Sequence, residues 1–368
     1  MQSRGGSQRQ AIRHLQALGF SGADIWLQSV FHVSGTMARP PDELLTSHLR
    51  AVSRSFYLAL RVLPVSIRPQ ISVAYLLARA ADSIAGTQLA PLEQRLAALQ
   101  RLRERIAGSR EAPLDFSGLL PRDDSPADRL LLENCERSLS RLDSFSPADI
   151  KLIREVLSTI ISGQDLDLRR FAGSSPKNIV TLQTEAELDD HTYRLAGCVG
   201  ETWTRLCRAD LFPQKYLNDS WLLARSVRFG RGLHFVHILR DLPADLRQGR
   251  CYLPAERLAA CALKPVDLLR PGNEPRLRPL YNDYLTRADF HLQAGWAYTN
   301  ALPRGSVRLR LACAWPILIG QETLKRLWAT NVLDGHQRIK VSRERVKRLM
   351  FRSVLLYPWQ GAWRRMVS

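Results

Sequence analysis

The sequence predicts an all-α fold in a single domain, and three observations carry that reading. From Leu44 onward, apolar residues recur at spacings of three and four, the period of an amphipathic helix. Proline and glycine mostly punctuate these periodic stretches. Alternation of β-branched residues never lasts long enough for a sheet, and no internal repeat is visible.

Taken in order, helices are predicted over 44–63, 68–85, 92–108, 126–140 and 147–170, with breaks at Pro64, at Gly86-Thr87 and in the loop 109–125. Ser146-Pro147 followed by Asp149 reads as a helix start, with Ser146 capping and proline in the first turn. Further helices are placed at 181–208, 214–246, 278–301, 304–330 and 342–354. Pro243 lies inside one of them, where it removes an amide donor and predicts a kink. Residues 1–44 are rich in Gln, Arg, Gly and Ser, and read as a disordered extension ahead of a helical domain at 45–354. Met37 is an alternative start. Residues 355–368 form a C-terminal tail.

Hydrophobic residues make up 45 % of the 368, enough for a large core. The formal charge of +18 and the isoelectric point near 10.3 call for an anionic partner: nucleic acid, a phospholipid surface or a phosphorylated substrate. The basic residues are dispersed and form no nucleic-acid-binding motif, so a nucleic-acid partner is not expected. Six cysteines stand apart, without a Cys-x-x-Cys pair, which fits reduced thiols in the cytoplasm. No apolar run reaches the roughly 18 residues that cross a bilayer. The tail Leu355-Leu-Tyr-Pro-Trp359 with Trp363-Arg-Arg365 mixes aromatic and basic residues, as a segment at an anionic membrane surface would; a packed terminal helix explains it equally.

The segment His237-Ile-Leu-Arg240-Asp241-Leu-Pro-Ala-Asp245 puts two carboxylates four residues apart, on one helix face. Magnesium would relieve their repulsion, because it takes carboxylate oxygen and shares its remaining positions with phosphate. Arg240, Arg247 and Arg250 flank the pair. A surface turn of alternating charge would carry the same residues. Earlier, Arg79 and Asp82 stand one turn apart in an otherwise apolar helix, facing a cavity or forming a local ion pair.

Four segments in order (Ser53-Arg54-Ser-Phe56, Tyr75-Leu-Leu-Ala-Arg79-Ala-Ala-Asp82, Thr192-Tyr193-Arg-Leu-Ala-Gly-Cys-Val-Gly200, and Ile238-Leu-Arg-Asp241 through Asp245, Gly249-Arg250 and Tyr252-Leu-Pro254) resemble the squalene/phytoene synthase family over residues 45–350. The resemblance implies an isoprenoid synthase-type helical bundle enclosing a central cavity. In it, Asp82, Asp241 and Asp245 would hold magnesium. Ser53, Arg54, Phe56, Arg79, Arg240 and Arg250 would border the diphosphates, and Tyr193 would serve the cationic intermediates. The implied reaction joins two farnesyl diphosphates head to head through a cyclopropyl diphosphate.

The wording of Gly249–Pro254 and Ala196–Trp203 looks closest to bacterial squalene synthases. Gln337–Arg343 resembles their basic segment near the nicotinamide, so Arg338, Lys340 and Arg343 would contact NADPH and the product would be squalene. The alternatives are a phytoene- or dehydrosqualene-type synthase without reduction, and a diverged paralogue with weakened or lost catalysis. The last is raised by Gly86, which stands where the family usually carries a second carboxylate. His234 and His237 stand where Gln and Asn are common, and His191 where an aromatic is. Ordinary hydrogen-bonded packing would also account for the three histidines.

Overall fold

The structure, a computed structural model, describes residues 59–87, 90–109, 112–116, 118–119, 126–335 and 339–367. The extension 1–44, Met37, Ser53, Arg54, Phe56 and Arg338 lie outside these residues. The helices are α1 (Arg68–Gly86), α2 (Leu92–Ala107), α3 (Pro126–Glu133), α4 (Cys135–Leu142), α5 (Pro147–Arg170), α6 (Glu185–Thr192) and α7 (Cys198–Leu211). They continue as α8 (Asp219–Arg247), α9 (Ala255–Ala260), α10 (Glu274–Ala301), α11 (Val307–Trp328), α12 (Arg343–Leu356) and α13 (Gln360–Arg364).

Most boundaries follow from local chemistry. The Ser146 side chain accepts the Asp149 amide at 3.1 Å and caps α5 as expected. Asn218 caps α8 in the same way through the Trp221 amide. The helix expected at 181–208 is instead divided. Residues Val180–Thr181 pair with Arg250–Cys251 as two parallel two-residue strands, β1 and β2, and α6 begins only after Thr184, whose hydroxyl accepts the Glu187 amide. Between α6 and α7, residues Tyr193–Gly197 form a π-helical turn. The helix expected at 126–140 breaks at Asn134.

The most extensive packing is between α8 and α10, with α7 and α11 against the same pair and α1 and α2 against α5. Leu76, Leu77, Ile84, Leu99, Leu102, Ile153 and Leu157 are all within 1 % of full burial, so the apolar stripes read from periodicity do face inward. Burying each such leucine contributes about 2 kcal/mol relative to exposure. Where the π turn crosses α8 the backbones nearly touch. A Cβ on Gly230 would lie 2.1 Å from the Ala196 carbonyl oxygen, so that position requires glycine.

Trp363 settles how the tail sits. Its side chain is 1 % exposed, stacks on Trp296 at 5.0 Å and donates from Nε1 to Asn300 Oδ1 at 2.9 Å. The terminal segment is thus packed through Trp363, while Trp359 and Leu355 remain exposed. All six cysteines are unpaired. Among the described residues, no helix is long and apolar enough to cross a membrane.

Candidate active site

Two adjoining cavities open between α1, α5, the π turn and α8. The first, about 300 Å³, is polar and is bordered by Asp82, Gly86, Asp167, Asp241, Asp245 and Arg250. The second, about 470 Å³, is apolar, with Leu60, Tyr75, Trp203, Phe229, Leu233 and Pro316 in its wall. Asp82, Gln164, Leu195, His234 and His237 line both, and so mark the junction.

Helix α1 supplies Asp82 because Arg79, Asp82 and Ser83 emerge from its otherwise apolar face. Arg79 bridges two acids, with Nη1 2.5 Å from Asp82 and Nη2 2.9 Å from Asp128 of α3. The Ser83 hydroxyl donates to the same Asp128 oxygen at 2.7 Å. Although its side chain is 63 % exposed, Asp82 borders a cleft walled by protein, and desolvation raises its carboxyl pKa despite the opposing Arg79.

The end of α8 supplies the other acids. The Arg240 guanidinium donates from Nε and Nη2 to the two carboxylate oxygens of adjacent Asp241 at 2.8 and 2.5 Å. One turn on, burial and then the Asp241 charge push the Asp245 carboxyl up to about 7. Among the described residues, no three His, Cys, Asp or Glu side chains could hold a metal ion by themselves.

Pro243 does not end α8, which continues to Arg247. The carbonyl that the proline leaves without an amide is that of Leu239, and the Tyr281 hydroxyl of α10 donates to it at 2.8 Å. The chain then turns at Gly249, whose φ of +81° favours glycine, and whose Cβ would stand 2.3 Å from the Ser175 amide. That turn feeds β2 and delivers Arg250 to the polar cavity.

The remaining expected residues are distributed differently. Tyr193 begins the π turn that gives Leu195 and Ala196 to the cavity walls, but it lines neither cavity. Its hydroxyl donates to Glu201 at 3.4 Å, and the Arg231 guanidinium lies 5.7 Å from its ring. Arg240 is held by Asp241 and lines neither cavity. Lys340 and Arg343, before and at the start of α12, are exposed and also line neither.

Two polar residues that line the site, and one cation beside it, were not singled out from the sequence. Gln164 and Asp167 of α5 lie three apart on the same face as buried Leu168, and polar residues on a buried stripe were the available signal. Arg95 donates to the carbonyls of Ala85 and Thr87 at 3.2 and 3.0 Å, placing a cation where α1 ends.

Comparison with known proteins agrees with this architecture. The squalene/phytoene synthase family model matches residues 49–345. A presqualene diphosphate synthase of Zymomonas mobilis is 28 % identical over 255 residues, covering 69 % of this chain and 74 % of that protein. A bifunctional lycopene cyclase/phytoene synthase of Blakeslea trispora is 27 % identical over 329 residues, covering 82 % of this chain. The chain spans only half the length of that relative. Among solved structures, the complex of TcSQS with the ligand E5700 superposes with a TM-score of 0.69 at 19 % identity, covering 88 % of this chain and 94 % of the other. At that identity the likeness speaks for the fold. The family match covers most of the sequence, and the fold agrees with it: the chain belongs to the squalene/phytoene synthase family.

Proposed function

We propose that this protein joins two allylic diphosphates, of the farnesyl class, head to head through a cyclopropyl diphosphate. The observation that carries the reading is the junction of an acid- and arginine-bordered cavity with an apolar, aromatic-walled one. Ionising an allylic diphosphate separates an anion from a carbocation, and the two compartments suit those two products. Arg250 would hold the departing diphosphate, with Arg79 in the wall of the second cavity beside Asp82. Tyr75, Trp203 and Phe229 would face the cation with aromatic surface and little competing water.

Asp82, Asp241 and Asp245 fit a magnesium ion that arrives with substrate. Magnesium needs only one or two carboxylates when phosphate oxygens and water fill its other positions. Burial raises the Asp82 and Asp245 carboxyls despite the arginines beside them, so a further cation there would favour their ionised form. Bound there, magnesium would supply the charge that stabilises the leaving diphosphate.

The reductive branch, in which NADPH delivers hydride to give squalene, rests on the likeness of 337–343 to the corresponding family segment. Lys340 and Arg343 lie away from both cavity linings, so we derive no hydride step. That placement favours a second reading, a synthase that stops without reduction. A product assay tests both. Purified protein is incubated with farnesyl diphosphate and magnesium, with and without NADPH, and the lipids are identified by mass spectrometry. Squalene formed only with NADPH supports the reductive reading. A C30 product indifferent to NADPH supports the second, and absence of any coupled product overturns both.

A further inference from the structure

A chain of three side chains crosses from α5 to the cavity junction. Asp167 Oδ1 lies 3.2 Å from His191 Nδ1, and His191 Nε2 lies 3.1 Å from His234 Nε2. His191 is 3 % exposed, and Tyr252 stacks on it with ring centroids 4.7 Å apart. Arg170 Nη1 stands 3.4 Å from the same Asp167 oxygen, so the carboxylate is shared between a fixed cation and the imidazole. His234 in turn lines both cavities.

The hydrogen bonds dictate the tautomers. Asp167 can only accept, so His191 carries its proton on Nδ1 and offers the Nε2 lone pair. His234 must then donate from Nε2, which leaves its Nδ1 lone pair as the free end of the chain. Burial, with His191 and His237 nearby, holds the His234 pKa well below 6.5, so the ring is neutral and able to accept a proton. His237, the other junction histidine, stands beside Arg240 and Asp241 instead; burial first, and then the Arg240 charge, oppose its protonation.

We propose that His234, positioned by His191 and Asp167, is the base that removes the proton lost when the cyclopropane ring closes. The assignment rests on the coupling reaction proposed above. After the first diphosphate departs with its bonding pair, C1 of the resulting cation is attacked by the double bond of the second substrate. The tertiary cation so formed, on C3 of the second substrate, closes to cyclopropane when a C1–H bond of the first substrate, on the carbon just attached, breaks. The electron pair becomes the third ring bond, and the proton passes to His234 Nδ1. As Nδ1 gains it, the Nε2 proton of His234 moves to His191 Nε2. The positive charge thereby leaves the cavity and comes to rest on His191, against Asp167. An isolated imidazole could not do this, since a cation held beside an apolar cavity loses its hydration unless it is paired.

The test compares the native chain with His234→Gln and Asp167→Asn, using farnesyl diphosphate and magnesium. Diphosphate release and coupled lipid product are measured on the same samples. Glutamine can donate to His191 but cannot take up a proton. We expect His234→Gln to keep a cooperative thermal transition and to release diphosphate, with coupled product down roughly 100-fold and C15 alcohols from water capture in its place. Asp167→Asn should move the partition between coupled product and alcohol in the same direction, to a smaller extent. A merely structural role would lower both readouts together and would overturn the assignment. So would a His234→Gln protein that couples at the native share. A native chain that releases diphosphate without coupling product overturns the proposed function and this assignment with it, and is recognised by the native control alone.

Discussion

The Tyr281 hydroxyl donates to the Leu239 carbonyl at 2.8 Å, at the one point in α8 where Pro243 supplies no amide. The bond spans two helices and fixes the stretch of α8 that also carries Asp241 and Asp245. Tyr281 is completely buried, and desolvation raises its pKa, so it remains a neutral donor. Removing the hydroxyl strands a buried acceptor, which costs about 1–3 kcal/mol. Tyr281→Phe should therefore lower the midpoint of urea unfolding without changing its slope. An unchanged midpoint would mean that water or helix relaxation satisfies Leu239 instead.

Gly86 marks the gap in the first acidic motif, and the gap is open. A Cβ there meets nothing within 4 Å, and the position borders the same cavity as Asp82, Asp241 and Asp245. Gly86→Asp should therefore fold and place a further carboxylate at the site. Helix propensity favours the change by a few tenths of a kcal/mol, and the C-terminal helix dipole opposes it by about as much. We expect the magnesium concentration for half-maximal rate to fall several-fold. An unchanged magnesium dependence would sink the idea that the missing acid weakens metal binding.

Much of this was legible in the sequence, for identifiable reasons. Period and punctuation place α1, α2, α5, α8 and α11 because each buries one apolar stripe. The region before Tyr193 was misread as one helix because its apolar spacing continues through Val180 and Leu182. Pairing with β2, a partner seventy residues away, decides their conformation instead. Pro243 pointed to a kink, and only the tertiary contact with Tyr281 explains the helix that continues. Spacing put Asp241 and Asp245 on one face, the family resemblance added Asp82 and Arg250, and all four border the first cavity. The Asp167–His191–His234 chain was not, because its members come from three separate elements. The π turn was equally hidden, and with it the direction in which Tyr193 faces.

Gly249 is the hinge on which Arg250 depends. Its φ of +81° costs a residue with a side chain about 1–2 kcal/mol, and its Cβ would press on Ser175 backbone atoms 2.3 to 2.6 Å away. Backbone cannot rotate aside as a side chain can. Gly249→Ala should destabilise the protein by more than about 2 kcal/mol and raise KM for the diphosphate substrate as β2 shifts. A variant with native stability and KM would show that the strand pair does not hold Arg250 in place.

Asp245 gives the site a dependence on pH whose sign can be worked out. Its folded carboxyl titrates at about 7, raised by burial and then by Asp241, whereas an aspartate in the unfolded chain titrates near ~4. Below ~4 the group is protonated in both states and leaves stability unaffected. Between ~4 and about 7 the unfolded chain has lost the proton while the folded chain retains it, so stability falls as pH rises. Above about 7 the loss is complete, and the folded chain carries a buried, ionised Asp245 one turn from the Asp241 carboxylate. Unfolding midpoints of the magnesium-free protein should fall across that window more steeply than those of Asp245→Asn. Magnesium together with inorganic diphosphate should reverse the fall, because deprotonated Asp245 is the form that binds. Parallel pH curves for the two proteins would place Asp245 in contact with solvent, with an ordinary carboxyl, and would remove it from the metal set.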